Sequence, residues 1–348
     1  MNRLLITEND PPMRLTALAL GETPDERMQG ALRRFFGPGW AQSLEALRGM
    51  GTELGLTGKL RPALATAAPL EAQLADVQVL FAEQTPVTAA AIGAAPRLRL
   101  IHTHGTGASH VDAAAARERG IAVKTLRRWV NTSVAEHALL LILAVARRLN
   151  TAHRAAAAPT GAGSGQPSAY NWADLDGVWS LRGKTLGIVG MGEIGRELAL
   201  RAAPLQLRLL YTQRHRMPGA EEAALGAEFR PLAALLAESD IVSVHVPLSE
   251  ATRHLIGAPE LARMKRGAVL INTSRGRLVD EAALAAALQA GLLGGAGLDV
   301  RYDEPPAALP GLTDTDRVVL TPHVAAGTGA ELLLDARCVL ENVAAALR

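Results

Sequence analysis

The 348-residue chain has one cysteine, Cys338, a near-balance of charge with a formal net charge of +2, and no long uncharged apolar run. A lone cysteine excludes an internal disulfide and any cysteine-cluster metal site, and the apolar pattern around it points to helix packing. The arginines are scattered rather than gathered into a basic run, so nothing indicates a nucleic-acid partner. No stretch approaches the roughly 18 uncharged apolar residues that span a membrane, and Met1–Thr7 lacks the basic and apolar segments of a secretory signal. These features lead us to expect a cytoplasmic protein with no membrane partner. Hydrophobic residues make up 49% and charged residues 20%, which is the composition of a globular chain long enough for two domains.

Apolar β-type runs alternate with helical runs almost throughout, the pattern of parallel sheets built from βαβ units. A first series has strand candidates Leu4–Thr7, Val77–Ala82, Leu98–Thr103 and Ile121–Thr125, with a helix at Asp112–Arg119. A second has Thr185–Val189, Leu207–Thr212, Ile241–Val246, Ala268–Thr273, Gly297–Val300 and Val318–Thr321, six strands for one nucleotide-binding sheet. Between them a long apolar helix over 133–149, opened by Thr132 and Ser133, is expected to cross from one domain to the other. The Gly-, Pro- and Ser-rich stretch 155–170 reads as an exposed loop. The fold class expected is α/β, with two doubly wound parallel-sheet domains. A flavodoxin-like substrate domain would span 1–126 and be completed by a C-terminal helix at 327–348, and a Rossmann domain would span 127–326.

Gly190-Met191-Gly192-Glu193-Ile194-Gly195 follows the apolar strand KTLGIV and opens a helical pattern, the context a G-x-G-x-x-G match requires. The first glycine permits a tight turn, the second lets backbone approach a pyrophosphate, and the third lets helix pack closely on strand. The acidic residue that would bind the adenosine ribose, about 20 positions on, is absent. In its place stand Gln213-Arg214-His215-Arg216. Arg214 and Arg216 suit a 2′-phosphate, so NADP(H) is the expected cofactor, with NAD(H) possible.

Three later segments carry groups suited to hydride transfer onto a keto acid: INTSRGRLVD with Arg275, LDVRYDEPP with Glu304 and VVLTPHVAAG with His323. Each follows an expected strand, whose carboxyl end faces the ligand crevice in a doubly wound sheet. Arg275 offers a fixed cation for a carboxylate, His323 a proton for a new alkoxide, and Glu304 a carboxylate that would stabilise the imidazolium. His102 and His104 share a strand face, but no carboxylate cluster completes a metal site, and none is expected.

At these residues the sequence resembles the D-isomer-specific 2-hydroxyacid dehydrogenase family, from about Val77 onward. The matching stretches are HGTGASHVD, NTSVAEHALLLILAVARRL, LRGKTLGIVGMGEIGRELA, SDIVSVHVPLSEATRHLI, MKRGAVLINTSRGRLVDEAAL, GLDV, DEPP and TPHVA. The resemblance implies an NAD(P)-dependent enzyme that reduces a small 2-oxo acid. Arg275 would bind substrate, Glu304 would be the partner carboxylate and His323 the acid/base. The backbone of Thr106 and Gly107 would hold the substrate carboxylate, and Asp299 would lie near the nicotinamide amide. Val246, Pro247, Thr252, Thr273 and Ser274 would complete the cofactor site. The YTQRHR turn is similar to that of the NADPH-using glyoxylate/hydroxypyruvate reductases. Family members form homodimers through the nucleotide domain and crossover helix. Leu126-Arg127-Arg128-Trp129 replaces a Pro-Gly turn common among relatives, and Ala82-Glu83-Gln84 lacks an arginine some of them carry.

Two alternatives stay open. Corepressors resembling the family use the fold as a nucleotide-responsive scaffold. YTQRHR also resembles a turn of formate dehydrogenases, although there the histidine's partner is glutamine rather than a residue like Glu304.

Overall fold

The computed structural model describes residues 2–157, 175–304, 307–313 and 315–348. The chain divides into two compact units, Met1–Val130 with Gly327–Arg348, and Asn131–Ala326.

The first unit is built on a five-stranded parallel sheet: β1 Asn2–Ile6, β2 Leu60–Leu64, β3 Val77–Ala82, β4 Leu100–Thr103 and β5 Ala122–Lys124. Its order, β2-β1-β3-β4-β5, is that of the flavodoxin-like sheets. Strand β3 is buried at every position and, Gln78 apart, reads as an apolar run, as a central parallel strand does. Strand β2 escaped the sequence reading because Pro62 sits inside it. It pairs only with β1, and at a sheet edge a missing N–H is tolerated. Helices Pro11–Ala19, Trp40–Glu53 and Gly329–Leu347 pack on one another in this unit.

The second unit holds a seven-stranded parallel sheet: β6 Thr185–Val189, β7 Arg208–Thr212, β8 Ala227–Phe229, β9 Ile241–Val244, β10 Ala268–Asn272, β11 Leu293–Leu298 and β12 Val318–Leu320. Its order is β12-β11-β10-β9-β6-β7-β8, so the chain reverses direction beside β6, between β6 and β9. The six strands expected become seven because β8 is a three-residue edge strand, too short for a periodic signal. Strand β11 begins at Leu293, earlier than expected, since its glycines carry no apolar pattern.

The long helix expected over 133–149 is two helices. Val130–Ala146 ends where Arg148 adopts a φ of 51°, and Leu149–Ala157 leaves at 63° to it. Leu141 and Ile142 of the former pack against Leu186, Ile188 and Ile271 of the sheet. Ala155–Ala157 continue the second helix instead of opening a loop, and the rest of the low-complexity stretch lies outside the described residues. Among the described residues no single helix is long and apolar enough to cross a membrane.

Candidate active site

The loops that leave the carboxyl ends of β6, β7, β9, β10, β11 and β12 carry the candidate residues of the second unit. Gly190, after β6, has a φ of 101°, and a Cβ there would lie 2.3 Å from His245 O, so only glycine fits. A Cβ on Gly195 would lie 2.2 Å from Gly190 O, which is how closely the following helix approaches the turn. Gly192 caps that helix, Glu193–Ala202, without any side-chain hydrogen bond, and a Cβ there would meet open space. Ile194 packs against the core beside Met191 and Leu198. The helix N-terminus thus presents backbone N–H groups and a positive dipole end to open space, as a pyrophosphate requires. Glu193 accepts from Asn131 Nδ2 through Oε2, while its Oε1 is buried without a partner.

After β7, Gln213 Nε2 donates to His215 O at 2.6 Å, and Arg214 is exposed. Arg216 is held differently from what its sequence position suggests. Its Nε and Nη2 donate to Glu222 at 2.8 Å each, and Tyr211 OH donates to the same carboxylate at 2.6 Å. Those two donors draw the Glu222 carboxyl down to about 2, the guanidinium contributing most. Arg214 is therefore the freer of the two cations.

Val246, after β9, is partly buried against the core, and the Thr252 hydroxyl donates to Pro247 O at 2.7 Å, closing the 247–252 turn. After β10, Thr273 is buried and its hydroxyl has no partner, while Ser274 Oγ donates to Val244 O at 2.8 Å. An orphaned buried hydroxyl at a carboxyl strand end of the sheet that bears the glycine turn fits a polar ligand such as a dinucleotide. Arg275 is exposed, with Nη1 turned back onto Ser274 O at 2.7 Å.

The loops after β11 and β12 bring His323 and Glu304 together. His323 Nδ1 lies 2.6 Å from Glu304 Oε2, leaving Nε2 free of that pair. Asp299, after β11, is engaged by the loop that follows β12. Its buried Oδ1 accepts from Thr321 Oγ1 at 2.5 Å and Val324 N at 2.9 Å, and Oδ2 accepts from Ala325 N at 2.9 Å. Its backbone carbonyl accepts from His323 N at 2.8 Å. His137, which the sequence reading passed over, reaches Thr321 Oγ1 at 2.9 Å and lies 3.5 Å from Asp299 Oδ1. The available signal was a polar ring set directly before the apolar run 138–146.

In the first unit, Thr106 and Gly107 are exposed on the loop after β4. Arg128 lies 3.8 Å from both Glu83 and Asp335, and Trp129 N donates to Asp335 Oδ1 at 2.6 Å, so the stretch that departs from the Pro-Gly turn is tied to the last helix. His102 and His104 pack edge-on and tilted against Phe81. Burial pushes His102 down to about 4 and His104 well below its ordinary value. Among the described residues no group of three or more His, Cys, Asp or Glu side chains is placed to hold a metal ion.

A doubly wound parallel sheet with this glycine turn, and a histidine–carboxylate pair at the same strand ends, defines a dinucleotide-dependent oxidoreductase. The family model of the D-isomer specific 2-hydroxyacid dehydrogenase, NAD binding domain, matches residues 139–325. Over 260 residues the chain is 40% identical to a glyoxylate reductase of Korarchaeum cryptofilum, a match covering 75% of this chain and 76% of that protein. Among solved structures, the holo form of Rhodotorula graminis D-mandelate dehydrogenase superposes with a TM-score of 0.68 at 27% identity, covering 98% of this chain and 92% of that one. A glyoxylate reductase from Paecilomyes thermophila gives 0.64 at 29% identity, covering 98% and 93%. The chain belongs to the D-isomer specific 2-hydroxyacid dehydrogenase family, and it is an NAD(P)-dependent oxidoreductase.

Proposed function

We propose that this enzyme reduces a small 2-oxo acid, glyoxylate or hydroxypyruvate being the substrates of choice, to the D-2-hydroxy acid, with NADPH preferred over NADH. The observation that carries the reading is the His323–Glu304 pair, 2.6 Å apart on loops at the carboxyl ends of the sheet that also bears the glycine turn. The nicotinamide supplies a hydride for C2 of the substrate. His323 Nε2–H gives the proton to the oxygen on C2, so one hydride and one proton convert the carbonyl to a hydroxyl. Glu304, on Nδ1, orients the ring and offsets the positive charge of its protonated form. Arg275 swings from Ser274 O to grip the substrate carboxylate and carbonyl with two parallel N–H donors. Thr106 and Gly107 offer exposed backbone to a substrate carboxylate, which makes 1–126 with 327–348 the substrate domain and 127–326 the cofactor domain.

Gly190, Gly192 and Gly195, with the amides of Glu193 and Ile194, take the pyrophosphate. Val246, Pro247, Thr252, Thr273 and Ser274 line the cofactor's path, Thr273 through its orphaned hydroxyl. Asp299 secures the loop bearing His323. Gln213 does not repel a 2′-phosphate, and Arg214 binds it, while Arg216 stays with Glu222 and adds positive potential. A homodimer is supported by Leu140 and Leu143, 49% and 38% exposed on the helix Val130–Ala146, and by Leu200, 52% exposed on Glu193–Ala202.

Steady-state kinetics on a panel of short 2-oxo acids, with each reduced cofactor, tests the reading. Turnover of glyoxylate or hydroxypyruvate with the higher kcat/KM for NADPH supports it. Tight dinucleotide binding without turnover of any 2-oxo acid refutes it in favour of a scaffold, and oxidation of formate alone would refute it in favour of that chemistry.

A further inference from the structure

We propose that His137 is a positioning residue for the acid/base: through Thr321 and Asp299 it holds the loop on which His323 stands. The inference rests on His323 being the acid of the proposed reaction. His323 has a φ of 54°, a conformation non-glycine residues adopt only when their surroundings impose it. What imposes it is on either side of the residue. His323 N donates to Asp299 O at 2.8 Å, and the Asp299 carboxylate gathers Thr321 Oγ1, Val324 N and Ala325 N at 2.5, 2.9 and 2.9 Å.

The Thr321 hydroxyl has one proton, and an ionised Asp299 can only accept, so that proton goes to Asp299. The contact of 2.9 Å between Thr321 Oγ1 and His137 Nε2 must then be donated by the imidazole, which places a proton on Nε2. A relay of fixed direction results, running from His137 to Thr321 to Asp299. The same Nε2–H stands 3.5 Å from Asp299 Oδ1, adding a favourable dipole to a carboxylate that is almost wholly buried. Without His137 the Thr321 hydroxyl loses the imidazole donor, and rotation toward another acceptor would release one corner of the turn. The helix Val130–Ala146 packs on the sheet, so His137 ties the loop to a rigid element. Displacement of His323 by a fraction of an ångström would slow proton delivery and leave pyrophosphate binding intact.

The experiment compares His137→Leu, His137→Gln, Thr321→Val and the double variant His137→Leu/Thr321→Val, with wild type and His323→Ala alongside. Each is measured for kcat and KM with the best 2-oxo acid, and for NADPH affinity by fluorescence titration. His137→Leu should lower kcat by about 10- to 100-fold, as a small misplacement of a catalytic group does, with cofactor affinity unchanged. Glutamine, whose Nε2–H can reach the same hydroxyl, should recover most of the loss, and the double variant should be no slower than the worse single one. A wild-type kcat for His137→Leu, an equal loss with glutamine, losses that multiply, or a parallel fall in cofactor affinity would each overturn the inference. Should His323→Ala keep full turnover, the reading of His323 as the acid fails and this inference with it. Should His323→Ala be inactive while His137→Leu is normal, the inference alone fails.

Discussion

His323 Nδ1 meets Glu304 Oε2 at 2.6 Å, although the two residues stand on loops that follow different strands of the second unit. Substitution separates their tasks. His323→Ala should lower kcat by roughly 100-fold or more, since a positioned proton donor contributes on that scale. Glu304→Gln keeps a hydrogen bond to the ring but removes the charge, and a loss of about tenfold in kcat is expected. Single-turnover rates with a 2-oxo acid measure both, and near wild-type rates in either variant would remove that residue from the proton-delivery role.

Arg275 turns its guanidinium toward Ser274 O and is exposed, free to meet a carboxylate. Lysine retains the charge without the planar pair of donors. Arg275→Lys should reduce kcat/KM for the 2-oxo acid by roughly 10- to 100-fold, the worth of a charge-assisted hydrogen bond, and leave cofactor affinity unchanged. Unaltered substrate kinetics would place the carboxylate anchor elsewhere.

Arg214 and Arg216 should behave unequally. Arg214→Ala should reduce the preference for NADPH over NADH by one to two orders of magnitude, roughly the worth of one charge-assisted contact. Arg216→Ala should cost less, because that guanidinium is already bonded twice to Glu222. The combination Gln213→Asp with Arg214→Ala should favour NADH, as a carboxylate there binds free ribose hydroxyls and repels a phosphate. Ratios of kcat/KM for the two cofactors decide the matter, and a double variant that still prefers NADPH would refute the assignment.

Burial holds three histidines neutral, His102 and His104 in the first unit and His245 beneath the glycine turn of the second, His102 and His245 being pushed down to about 4. In the unfolded chain histidine titrates near 6.5, so between about pH 6.5 and 4 the unfolded state binds protons that the native state refuses. Their contribution to stability is full above that range and is lost as the pH falls through it. Melting temperature should therefore decline from pH 7 to 4.5, and His245→Asn, which cannot titrate, should flatten the decline while lowering stability at pH 7. Equal slopes for the two proteins would show that His245 takes no part in the acid response.

Much of this architecture is legible along the chain. Strands β3 and β6 are buried at every position and, Gln78 and Thr185 apart, apolar, because parallel strands covered on both faces must be nearly so, and their bounds follow from that. The glycine turn is legible for a related reason: Gly190 and Gly195 stand where a Cβ would collide with backbone, so the requirement is written in residue type. Elements at sheet edges are not legible in this way. Pro62 in β2 and the brevity of β8 erase the periodic signal, and the break at Arg148 follows no proline or glycine.

For this protein the sequence by itself determined the alternation of strands and helices, the phosphate-binding turn and the residue types suited to hydride transfer, since each depends on local periodicity or on the chemistry of single residues. Only the tertiary structure decided which side chains are engaged. Glu222 takes Arg216, Asp299 turns to the loop 321–325, and His137 reaches Thr321 from a helix 184 positions earlier. Hydrogen-bond partners are settled by distances of about 3 Å between atoms that the folding of the sheet brings together, and the order of residues along the chain does not record those distances.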